Sequence, residues 1–340
     1  MNRSITLTII ALFTLAISVP LKAQNMHFSQ FFNSPATINP AATGSMNEDL
    51  RFTSFYKDQW RSIGSPYKTM LSSFDAKIIH SKKRNGSLGV GMQVYSDKAG
   101  ESNMGVSLAS LALSYQVKLN RYHTLAGGIH GGVGQRSIQI NKLRWDNQFT
   151  GDHYDPSVPG EHIPMPNFMM VDFAGGLYWN HVRGQDFNAH GGIAVFHMNN
   201  PSQSHYQRYQ ELLATKYVVH GGAEFALEST NTSILPSFLF MKQGPAREIT
   251  AGAMARYSLG VDSKYTGLNT SSAFYLGTFY RMGDAIIIAT KYDVKNNWII
   301  GFSYDINVSK LKVASSGRGG MEISLVWKGI TSQSSRYKMR

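Results

Sequence analysis

The 340-residue chain has no cysteine at all. That absence excludes a disulfide framework and an acylated-cysteine membrane anchor. Beyond the first twenty or so residues there is no apolar run long enough for a membrane-crossing helix, which needs about 20 residues. Pro-rich and Gly/Ser-rich linkers are missing too, so a single domain is expected. The sequence also lacks the short patterns that carry catalysis or metal binding. There is no G-x-S-x-G elbow and no HExxH, and Asp146, Asp152 and Asp155 do not follow the EF-hand spacing. Nothing therefore supports an enzyme, a bound metal or any other cofactor.

What is present begins with an export signal. Arg3 precedes an apolar stretch from Ile5 to Ile17, and Leu21-Lys22-Ala23 offers a cleavage site before Gln24. Breaks at Ser18, Pro20 and Lys22 argue against a retained anchor. The whole chain carries 33 Lys/Arg against 21 Asp/Glu, a formal charge of +12, and removing residues 1–23 takes away only Arg3 and Lys22. A basic exported protein calls for an anionic neighbour such as lipid head groups, surface polysaccharide or an acidic protein. Nucleic acid is a poor choice in that compartment.

From Leu50 to Lys328 the dominant signal is alternation. Trp298, Ile300, Phe302, Tyr304 and Ile306 share one face of an extended segment, with Gly301, Ser303 and Asp305 on the other. Met321, Ile323, Leu325 and Trp327 alternate with Glu322, Ser324 and Lys328 in the same way. Alternation fits both a soluble sandwich and a membrane barrel. Length separates them: residues 104–119 and 246–258 form runs longer than ordinary soluble strands, and a tilted membrane strand needs about 9 to 11 residues. Aromatics near segment ends (Tyr56, Trp60, Tyr95, Tyr115, Trp179, Tyr257, Tyr280, Trp298, Trp327) suit an interfacial girdle.

The expected fold is therefore all-β, a transmembrane antiparallel β-barrel of about 14 strands in the outer membrane, in contact with its lipid. The strands are placed at 50–57, 66–77, 86–96, 104–119, 122–136, 168–180, 186–198, 215–229, 233–243, 246–258, 271–282, 284–294, 297–308 and 319–328. The expected organisation is 1–23 signal peptide, 24–49 extended N-terminal segment that plugs or braces the barrel, 50–328 barrel, and 329–340 tail. An even strand count puts both ends of the barrel on one side, with the long connections 137–167 and 199–214 outside.

Three echoes, His130-Gly131-Gly132, His190-Gly191-Gly192 and His220-Gly221-Gly222, put histidines on the polar face. Their spacing does not bring them together, and a hydrated polar lumen accounts for them. Inward small residues (Gly89, Gly91, Gly128, Gly132, Gly134, Ala174, Gly176, Gly192, Gly222) thin the lumen wall. They make room for a pore, a plug or a peptide, with barrel curvature as the favoured explanation. The loop from Trp145 to Pro156 mixes aromatics with Asp and Asn in a long outer connection, a composition that can anchor a protein partner.

Motifs in a fixed order resemble a known family. Gln24-Asn25-Met26-His27-Phe28-Ser29-Gln30-Phe31-Phe32 is followed by Ile38-Asn39-Pro40-Ala41, Thr43-Gly44, Arg51 and Tyr56-Lys57-Asp58-Gln59-Trp60-Arg61. Further on come Phe74-Asp75, Tyr154 to Glu161, His197-Met198-Asn199, and His220-Gly221-Gly222 with Leu235-Pro236-Ser237. The chain resembles the PorP/SprF family of type IX secretion system membrane proteins over nearly all of its mature length. It departs at Lys57, where arginine is commoner, and in a tail beyond the last aromatic strand. The resemblance implies a non-enzymatic outer-membrane barrel of a Bacteroidota-type envelope that supports export and surface retention of secreted adhesins and, in gliding cells, works with the motility apparatus. Implied partners are the secreted adhesin or its C-terminal sorting domain, and periplasmic and lipoprotein components of the secretion machine. His27, Phe28, Ser29, Gln30, Asn39, Pro40, Trp60, Tyr154, Asp155 and Pro156 become candidate partner contacts. The alternative is a passive diffusion porin or uptake channel.

Overall fold

The structure, a computed structural model, describes residues 27–62, 64–81, 86–184, 187–206, 211–260, 271–310 and 312–330. The expected signal peptide and most of the expected tail lie outside the described residues. Fourteen strands run in chain order around a closed antiparallel barrel: β1 (Leu50–Gln59), β2 (Tyr67–Ser81), β3 (Gly86–Ala99), β4 (Met104–Lys118), β5 (His123–Ser137), β6 (Asn167–Arg183), β7 (Phe187–Phe196), β8 (Lys216–Ala226), β9 (Thr232–Gln243), β10 (Ala246–Ser258), β11 (Ala273–Arg281), β12 (Ala285–Val294), β13 (Trp298–Asn307) and β14 (Arg318–Gly329). β1 closes on β14 with Lys57 opposite Glu322 and Phe52 opposite Trp327. Closure leaves no unpaired strand edge, which is what a sheet needs in order to sit in hydrocarbon.

The direction of burial decides between the two fates of an alternating strand. Along β13, Trp298, Ile300, Phe302 and Tyr304 point outward and exposed, while Gly301, Ser303 and Asp305 are buried. Leu111 is 69% and Ile129 65% exposed, whereas Lys57 and Glu322 are each 1% exposed. A soluble sandwich would do the reverse. Apolar side chains outside and polar ones inside fit a barrel whose outer solvent is lipid.

Much of the interior is filled by protein and not left as the open hydrated lumen expected from alternation. Phe31, Leu239, Met254, Phe279 and Ile287 form a buried apolar cluster inside the barrel, with Phe32, Ile38, Leu235 and Met241 packed against it. The reason is visible in the chain: residues 27–49 lie inside the barrel in three short helical turns, Phe31–Asn33, Pro35–Ile38 and Pro40–Ala42. Tyr95 also leaves the expected girdle. It faces inward and packs with Phe28, Phe55 and Leu71.

The long connections 138–166 and 197–215 lie at the end opposite Leu50 and Gly329, and most connections at the other end are short in sequence. The exception is 259–272, of which residues 261–270 lie outside the described residues. Short turns face the periplasm in such barrels, so the end holding Leu50 and Gly329 is the periplasmic one.

Candidate functional site

Residues 27–49 run from the outer end of the lumen toward the periplasmic end, and each step meets a different part of the wall. At the top is a charge cluster built from five strands. Lys57 (β1) stands 3.7 Å from Asp305 and 3.8 Å from Glu322, and Arg281 (β11) reaches Asp305 at 2.9 Å, Asp284 at 3.0 Å and Glu248 at 3.5 Å. Buried acids outnumber buried bases here, so the cluster requires further donors. The N-terminal segment supplies them. Glu322 takes the backbone N–H of Ser29 at 2.7 Å and of Gln30 at 2.9 Å, one on each carboxylate oxygen. The Ser29 hydroxyl donates to Asp305 at 2.7 Å and accepts from Lys57 at 3.2 Å and Arg281 at 2.8 Å. One donor and two acceptor sites are all a serine hydroxyl has.

Beneath that cluster, Phe31 and Phe32 pack on Phe279 with ring centroids 5.9 and 5.2 Å apart, and the Lys291 ammonium lies 5.0 Å from the Phe32 ring centroid. Asn39 comes next. Its amide donates to the Leu177 carbonyl at 2.8 Å and lies 3.2 Å from His220 Nε2, while its oxygen accepts from the Ala41 N–H at 3.0 Å. Lower still, the Thr43 carbonyl accepts from Ser114 Oγ and Gln116 Nε2, and the Gly44 N–H donates to Asp75, itself held by a two-pronged contact from Arg51. Gly44 sits at φ +66, and a Cβ there would lie 2.8 Å from the Gly89 Cα. Only glycine meets both demands.

The inward glycines acquire a reason beyond curvature. A Cβ at Gly128 would lie 2.5 Å from the Ala41 Cα, one at Gly176 would lie 2.2 Å from Asn39 Oδ1, and one at Gly89 would lie 2.3 Å from the Thr43 carbonyl oxygen. Small wall residues leave the volume that the segment fills. Two of the histidine echoes also meet: His190 stands opposite Gly222 and His220 opposite Gly192, with the imidazole rings 6.5 Å apart. His130 lies elsewhere, edge-on to Phe196. Among the described residues no group of three or more His, Asp or Glu side chains is placed to hold a metal ion.

The candidate contacts thus fall into two places. Phe28, Ser29, Gln30, Asn39 and Pro40 are buried in the lumen, and the half-buried His27 lies 3.4 Å from Glu248. Trp60 sits on the outer rim, edge-on to Tyr67. Tyr154, Asp155 and Pro156 lie in the outer loop, where Gln148 is the hub. Gln148 accepts from the Tyr154 hydroxyl and the Trp145 N–H, and donates to the Val158 carbonyl. Asp155 turns its carboxylate back on Ser157, whose two hydrogen bonds hold its pKa below the usual carboxylate value. The loop is a folded surface whose polar groups are largely used internally.

A family model for the type IX secretion system membrane protein PorP/SprF matches residues 21–327. The chain belongs to the PorP/SprF family. Its place is accordingly the outer membrane, where the closed barrel and lipid-facing side chains fit. No significant match is found among curated proteins. Solved structures similar to this PorP/SprF protein include a CymD monoaromatic hydrocarbon channel (11% identity, TM-score 0.48, covering 88% of this chain and 93% of that one). A Pseudomonas aeruginosa FadL homologue (10% identity, TM-score 0.44, 87% and 94% covered) and a KdgM porin bound to disordered oligogalacturonate (9%, 0.38, 82% and 98%) are others. At these values the likeness gives no guide to what this chain binds.

In this PorP/SprF protein the polar groups that grip the segment, Glu248, Arg281, Asp305 and Glu322, were not among the residues expected from sequence. Each is one charged residue on an otherwise ordinary lumen face. A usable signal was that all four lie near one end of their strands, within reach of a common level.

Proposed function

We propose that this PorP/SprF protein is a non-enzymatic docking component of type IX secretion. The barrel anchors it, its own N-terminal segment obstructs the lumen, and its mouths and outer loops receive partners. On this reading it supports export and surface retention of secreted adhesins, including those used in gliding. The observation that carries the proposal is the occupied interior. Residues 29–44 make hydrogen bonds or apolar contacts with strands on every side of the wall, which is a poor arrangement for passive diffusion. The motif His27 to Pro40 then acts within the molecule, and Trp60 and the Tyr154–Pro156 turn remain as outward contact candidates.

A mild-detergent pull-down of the tagged protein from its native envelope, read by mass spectrometry, tests this. Recovery of a large surface adhesin or of secretion-machine components supports docking. Recovery of the barrel alone from envelopes that contain those proteins, together with steady ion conductance by the purified barrel in a planar bilayer, would sink it in favour of a porin.

A further inference from the structure

The periplasmic mouth opens into a vestibule of about 1380 Å³ whose inner end is formed by Ser45, Met46 and Asn47 of the N-terminal segment. That exceeds the roughly 300–1,000 Å³ of ordinary small-molecule pockets. Among the described residues its charge is one-sided. Lys118 and Arg121 line it with no carboxylate partner among those residues, and Arg256 shares Glu224 at 3.2 Å, the only acid among the described lining residues. Its remaining polar groups include Asn180 and Asn188, and Asn188 Oδ1 is buried without a hydrogen-bond partner among the described residues.

We propose that this vestibule seats an acidic, extended peptide segment of a partner protein presented from the periplasm. Lys118 and Arg121 supply the attraction, and the asparagines pair with the peptide backbone. Asparagine carries both a donor and an acceptor, which matches a peptide amide, and the competition with polygalacturonate described below separates a peptide from a polyanionic sugar. The unpaired cations raise the local concentration of an anionic segment before contact. The inference rests on the docking reading above and gives it one partner chemistry.

The test uses the purified full-length protein in detergent and fluorescence anisotropy of a labelled peptide alternating Asp/Glu with Gly, against a lysine counterpart and against polygalacturonate. The acidic peptide binds and the lysine peptide does not. Lys118→Glu and Arg121→Glu each weaken binding about fivefold or more, and salt near 1 M, where the Debye length is about 3 Å, abolishes it. Lys98→Glu, at the outer end of β3, leaves binding unchanged. Equal binding of acidic and basic peptides, indifference to both reversals, or stronger competition by polygalacturonate than by unlabelled acidic peptide overturns the proposal. Lys118→Gln and Arg121→Gln serve if the reversals fail to fold, and must weaken binding in the same direction. Envelope pull-downs with the same variants separate the two readings. Secretion components recovered equally with wild type and reversals fail the vestibule alone. None recovered with wild type fails the docking reading, and the peptide measurement still decides the vestibule.

Discussion

At the scale of single residues, Ser29 is the most constrained polar group in the lumen, because its one hydroxyl completes the coordination of three buried charges. Ser29→Ala removes little volume but leaves Lys57, Arg281 and Asp305 each one hydrogen bond short. A buried group deprived of its partner costs about 1–3 kcal/mol, more when charged. We expect a lowered unfolding temperature in heat-modifiability gels, and no such loss for Ser54→Ala, whose hydroxyl makes only a 3.4 Å contact to Ser72 on the outer face. A matched pair of glycines isolates the steric requirement. Gly128→Ala meets the Ala41 backbone, which cannot swing aside, and overpacking of this kind costs about 1–3 kcal/mol. Its neighbour Gly127 faces outward with 3.8 Å to Leu177, so Gly127→Ala should be neutral in the same assay. Equal effects at both positions would mean that the segment is not seated as described.

At the scale of elements, the strands were the most legible part of the sequence, since lipid on one side imposes a strict period of two. All fourteen lie where alternation put them, with ends displaced by up to four residues, as at Ser81. What alternation hid was the interior. Ile286-Ile287-Ile288 and Phe238-Leu239-Phe240 are apolar on both faces, and that break in the pattern is the sequence trace of an inner core. The eye takes such a run as a strong strand. Its partner, residues 27–44, has no period of its own because it is folded by the wall rather than by its own repeat. Leu239→Ala should therefore cost about 2–5 kcal/mol by opening a cavity, because Leu239 faces the barrel interior and packs in its apolar cluster. Leu111→Arg, at the middle of β4 on the lipid face, should cost about 2–4 kcal/mol for a different reason, the burial of a charge in hydrocarbon. Refolding into thin and thick bilayers distinguishes the two, since only the second cost depends on membrane depth.

At the scale of the whole molecule, the outer end of the lumen, where His27 and the charge cluster lie, and the vestibule at the opposite end give the protein two distinct faces, which on the docking reading proposed above receive different partners. The division depends on orientation, and the absence of cysteine makes orientation measurable, because a single introduced thiol is the only one to label. Asp152 lies exposed in the long 138–166 connection, and Glu228 lies exposed in the tight turn between β8 and β9 at the opposite end. Asp152→Cys should react with a membrane-impermeant maleimide on intact cells, and Glu228→Cys only after the outer membrane is opened. The reverse pattern would put the vestibule on the cell surface and turn the charge cluster toward the periplasm. An acidic surface-borne segment, not a periplasmic one, would then be the occupant to seek. With the expected pattern, and on the docking reading proposed above, a partner approaching from the periplasm and one displayed outside would meet opposite ends of one filled barrel, and residues 27–49 are the continuous chain that runs between those ends.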